Sequence, residues 1–171
     1  MGASAGTGQG SRFTVAVRGV DRVLQLMGER DEFGLWLFSG AGTREAIPIG
    51  PRHQATPAEL DQVMPAGGTP LFQAIVDGVA GVGPSDGDRV NALVVLTDGE
   101  DTTSELTSSQ LNDAVRGKGV RVFVIAVGGT SCTSGVLRDL ALSTGGACAD
   151  TDVESVDGKL TGLFRVLWGV G

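Results

Sequence analysis

The chain has 171 residues, 41% of them hydrophobic, which suits one domain spanning residues 1–171 with a core buried on two sides. Twenty acidic residues against thirteen scattered basic ones leave a formal charge of -7, a surface that repels phosphate backbones, so nucleic-acid binding is not expected. No apolar run approaches the roughly 18 residues of a membrane span, so no span is expected either.

Residues 1–11, MGASAGTGQGS, are small and polar and read as an exposed loop. Their glycines do not make a phosphate loop, because no strand precedes them, no Gly-Lys-Ser/Thr follows and the spacing is not G-x-G-x-x-G. From Arg12 to Met27 the apolar residues Phe13, Val17, Val20, Val23, Leu24 and Met27 recur at helical spacing, and Gly28 ends the segment. Phe33–Phe38 reads as a strand and Arg44–Ile49 as a shorter one carrying a proline, which confines it to an edge: an antiparallel hairpin. Residues 50–69 form a loop with one short helix, Pro57–Val63. His53, the only histidine, sits there without a Cys, Asp or second His beside it and reads as solvated. Thr69 and Pro70 then suit the N-cap and first position of a helix from Leu71 to Val82.

Leu93-Val-Val-Leu96 is an unbroken apolar run, expected to be a central strand covered on both faces. It is followed by a helix at about 106–117, a second apolar strand at Val120–Val127, a helix at Ser134–Ser143, a short strand at Ala147–Ala149 and a last helix at Val153–Trp168. Such alternation implies right-handed crossovers, a mostly parallel sheet and helices on both faces. Cys132 and Cys148 flank the penultimate helix, and by themselves are equally consistent with a bridge and with two buried thiols.

The carboxyl end of the first apolar strand carries Thr97-Asp98-Gly99-Glu100-Asp101. Ligands of open α/β sheets bind in the crevice outside such strand ends, which makes Asp98 the first candidate for chemistry, although Asp-Gly also suits a plain turn.

Taken in order, GLWLFSG, PAGGTPL, VVLTDGED, VRVFVIAVG and STGGACAD resemble the von Willebrand factor type A domain over nearly the whole chain. The resemblance implies a three-layer, Rossmann-like sheet with a divalent ion, usually magnesium, at its rim. In that family the ion is held by an Asp-x-Ser-x-Ser motif after the first strand, a threonine and an aspartate. The last two map onto Thr69 and Asp98, and a partner's acidic side chain can complete the shell. The first does not map: Met1-Gly2-Ala3 stand where the motif would end, and neither Ser4 nor Ser11 restores it. The resemblance therefore implies that the first central strand is missing, that a gap opens between the GLWLF and VVLTD strands, and that magnesium, manganese or calcium binds weakly or not at all. It further implies a Cys132–Cys148 disulfide of the kind carried by extracellular bacterial, actinobacterial-like members, and with it an extracellular or cell-surface location, the alternative being cytoplasmic.

The function expected is a non-enzymatic, protein-binding adhesion-type module with a partial metal-ion-dependent site, since no Ser-His-Asp or Cys-His set can be assembled. The alternative is a magnesium-dependent hydrolase or phosphotransferase using Asp98, Glu100 and Asp101. A third reading is an interaction domain that binds no ion.

Overall fold

The computed structural model describes residues 12–55, 67–85, 87–98, 100–128, 132–133, 135–152 and 154–168. Helix α1 (Arg12–Leu26) leads into an antiparallel hairpin of β1 (Glu32–Ser39) and β2 (Gly42–Pro51), closed by a single 3-10 turn at Arg52–Gln54. Then come α2 (Leu71–Val82), β3 (Asn91–Thr97), α3 (Ser108–Val115), β4 (Val120–Val127), α4 (Val136–Ser143), β5 (Cys148–Thr151) and α5 (Val156–Trp168). The short helix expected at 57–63 lies outside the described residues, as do residues 1–11.

Strands β3, β4 and β5 run parallel in that spatial order. The expectation that the VVLT strand is central is corrected here. β4 takes the middle and is buried at every residue but Arg121, whereas β3 lies at the margin of the three strands and most of its residues are only half-buried. The reason is that β1 and β2 form a separate two-stranded sheet and, among the described residues, no backbone ladder joins β1 to β3. Among these residues the gap expected between the two strands is present.

Two apolar layers flank the parallel strands. On one face Leu71, Ile75 and Val79 of α2, Leu111 and Val115 of α3, and Leu137 and Leu140 of α4 pack with Val120, Val122 and Val124. On the other, Val23, Met27, Val156, Leu160 and Phe164 pack with Ile125 and Val127. The period-two alternation of β4 thus feeds two different clusters, and that is why its run is apolar throughout rather than alternating. Helix α3 starts with a capping box, in which the Thr107 hydroxyl accepts from the Gln110 N–H while the Gln110 side chain accepts from the Thr107 N–H. Cys132 and Cys148 form a disulfide across α4, with Cα atoms 5.3 Å apart.

Candidate functional site

Three segments meet at the carboxyl ends of β1 and β3: the 39–42 hairpin turn, the 67–70 loop and the loop that follows Thr97. Their approach depends on glycine. A Cβ on Gly40 would lie 2.7 Å from the Gly68 nitrogen, and one on Gly68 would lie 2.3 Å from Thr103 Cγ2, so larger residues would push the segments apart. The Thr69 N–H donates to Thr102 Oγ1 at 2.8 Å, and the Thr102 N–H donates back to the Thr69 carbonyl at 3.0 Å. This reciprocal pair fixes the threonine-bearing loop to the aspartate-bearing one.

Thr69 and Asp98 consequently line the same cavity, at the same end. Thr69 is not the N-cap of α2. Pro70 occupies that position, and the cap contacts come from another part of the chain. The Phe72 N–H donates to Asp101 Oδ1 at 3.1 Å and the Gln73 N–H to Ser104 Oγ at 3.1 Å, while the Ser104 hydroxyl donates to the Asp101 carboxylate. Asp101 is therefore engaged through Oδ1 at the positive end of α2, which favours an anion there. Nothing in local sequence marks this role, because donor and acceptor are 29 residues apart. Glu100 is exposed. His53 is exposed in the 3-10 turn, well away in sequence from the three converging segments.

The oxygens of Thr69 and Asp98 suit a hard, hydrated cation held through few direct ligands, as magnesium prefers. Among the described residues no three His, Cys, Asp or Glu side chains converge to hold a metal. The candidate donors among the described residues are thus one hydroxyl and one carboxylate, a set that would leave most of a cation's coordination to water.

Away from the rim, Asp150 organises the disulfide loop: its carboxylate accepts from the Cys132 N–H at 3.0 Å and from the Thr133 hydroxyl at 3.2 Å. Beyond β5, Asp152 accepts from the Ser155 N–H at 2.7 Å, and the Ser155 side chain and backbone hold the Asp152 carboxyl below the usual carboxylate range. No helix among the described residues is long and apolar enough to cross a membrane.

No protein-family model and no curated protein sequence matches the chain. Solved structures do. An aerotolerance-related membrane protein from Bacteroides fragilis, in a form with multiple mutations to serine, superposes with a TM-score of 0.73 at 17% identity, over 95% of this chain and 90% of that one. A von Willebrand factor type A protein from Catenulispora acidiphila gives 0.74 at 15% identity, over 89% of this chain and 37% of that one. Proximal thread matrix protein 1 from the mussel byssus, with a zinc-occupied MIDAS motif, gives 0.72 at 16% identity, over 91% and 42%. The chain thus spans less than half the length of the latter two. Strand order, the flanking helix layers and these superpositions agree: the chain has the von Willebrand factor type A fold.

Proposed function

We propose that this chain is a non-enzymatic protein-binding module whose partner docks at the rim built by the 39–42 turn, the 67–70 loop and the Asp98 loop. Thr69 and Asp98 offer oxygens to a magnesium ion, or to manganese or calcium, and an acidic side chain of the partner completes the shell. The observation that carries this reading is the reciprocal Thr69–Thr102 pair of hydrogen bonds, one to a hydroxyl and one to a carbonyl, which ties together two loops that line one cavity. The zinc-occupied MIDAS motif of the mussel protein supports it by analogy of fold. A cation held by so few protein oxygens binds weakly until the partner arrives. The Cys132–Cys148 disulfide favours an oxidising compartment, and so an extracellular or cell-surface setting.

Calorimetric titration of magnesium and manganese into the full chain tests the cation. Dissociation constants in the millimolar range, with the heat lost in Asp98→Ala and reduced in Thr69→Ala, are expected. Micromolar binding would refute the reading of a weak site. No heat at all would leave a metal-free interaction domain, the reading favoured by the scarcity of converging acidic ligands among the described residues. Hydrolysis of a generic phosphate ester with magnesium, lost in Asp98→Asn, would instead make the chain an enzyme.

A further inference from the structure

Four consecutive residues of the loop after Thr97 each engage a different residue of the 68–73 segment. Asp101 Oδ1 accepts from the Phe72 N–H at 3.1 Å, Thr102 Oγ1 from the Thr69 N–H at 2.8 Å and Ser104 Oγ from the Gln73 N–H at 3.1 Å. Between them the Thr103 side chain packs on Gly68 so closely that a Cβ there would meet Thr103 Cγ2 at 2.3 Å. The three acceptors stand 29, 33 and 31 positions from their donors, so the contacts exist only when both segments are in place. The two segments differ in what anchors them. Helix α2 is held in the core by Leu71 and Ile75, both fully buried, whereas Thr102 and Thr103 are exposed. The aspartate-bearing loop thus takes its position from the helix as well as from its own strand.

We infer that Thr102 is a positioning residue of the rim: its hydroxyl joins the 67–70 loop, residues 101–104 and the first turn of α2 into one unit that opens and closes together, and so sets where Thr69 stands relative to the Asp98 loop. Thr102 holds Thr69 from two sides, since its own N–H donates to the Thr69 carbonyl at 3.0 Å while its hydroxyl accepts the Thr69 N–H. The hydroxyl is the member of the set that a side-chain change removes while the other contacts keep their partners. When such a unit opens as a whole, weakening one contact raises the open population for every amide the unit protects. Those amides include Phe72 and Gln73, whose own acceptors are Asp101 and Ser104. Independent contacts would behave otherwise, and Thr69 alone would respond. An occupant that draws Thr69 and Asp98 together favours the closed unit and therefore stabilises the first turn of α2 by linkage. That last step rests on the proposed function, whereas the unit itself does not.

The test is amide exchange followed residue by residue by NMR on the full oxidised chain in EDTA. Two variants are compared with the parent: Thr102→Val, which keeps the branched carbon frame and removes the acceptor, and Thr102→Ser, which restores the acceptor. In Thr102→Val the Thr69, Phe72 and Gln73 amides should all exchange roughly fivefold faster, while those of Val124 and Ile125 in β4 are unchanged and Thr102→Ser matches the parent. Acceleration of Thr69 alone, or of none of the three, overturns the inference. Equal acceleration of Val124 and Ile125 overturns it too, because that reports general loosening of the fold. Magnesium titrations of the same three proteins, without EDTA, read the linkage. Binding weakened roughly fivefold in Thr102→Val and recovered in Thr102→Ser, with Phe72 and Gln73 better protected in the loaded parent, supports the positioning role. Equal magnesium binding by the parent and Thr102→Val overturns that role. No magnesium binding by the parent overturns the cation reading of the proposed function, and exchange in EDTA then decides the unit by itself.

Discussion

Asp98 and Asp101 stand three residues apart in one acidic loop; Asp101 holds the start of α2 while the proposed function gives Asp98 the cation, and removing each in turn tests that division. Asp101 accepts the Phe72 N–H of the first turn of α2 and the hydroxyl of Ser104, which itself accepts the Gln73 N–H. A side-chain cap of this kind is worth about 1 kcal/mol. The carboxylate at the positive helix end adds about 0.5 kcal/mol, and loosening Ser104 forfeits part of a second bond, for a total near 2 kcal/mol. Asp101→Ala should therefore lower the unfolding free energy in urea by about 2 kcal/mol and the melting temperature by roughly 4–8 °C. Asp101→Asn keeps an acceptor without the charge and should fall between the two. Asp98→Ala should abolish the cation heat. The reasoning is refuted if Asp101→Ala unfolds at the parent's urea concentration.

The remaining predictions are read by similar means. Reducing the disulfide, or replacing both cysteines by serine, frees a loop of sequence separation 16 and should cost about 3 kcal/mol on chain-entropy grounds, seen as an earlier thermal transition in reductant. Gly146→Ala would place a Cβ 1.9 Å from the Val122 carbonyl oxygen, so about 3 kcal/mol of destabilisation is expected, with β5 the first segment to lose amide protection. Asp152 has its folded pKa lowered by Ser155, so its contribution is present above the ordinary carboxylate range and is lost as pH falls through the folded value. Asp152→Asn should accordingly lower the melting temperature slightly at neutral pH and flatten the acid limb of the profile, the two proteins converging in acid.

The sequence by itself determined most of the local architecture. The β4 run VRVFVIAV is apolar at nearly every position because both of its faces meet helices, and that pattern, with helical periodicity on either side, specified a parallel α/β sheet before any coordinate was known. Pro48 in β2 marked an edge hairpin, and the Leu71–Val82 helix was legible to the residue. What only the tertiary structure decided depends on contacts between residues far apart in the chain. Thr69 looked like a helix cap because local spacing allowed it; the cap came instead from Asp101 and Ser104, about thirty residues downstream. The apolar run of β3 announced burial but not which neighbours it has, since strand order is set by which edges find partners: among the described residues β4 pairs on both sides and β3 on one. Periodicity reports the environment of a side chain, whereas pairing and capping are commitments of the backbone, and those are made only when the chain has closed on itself.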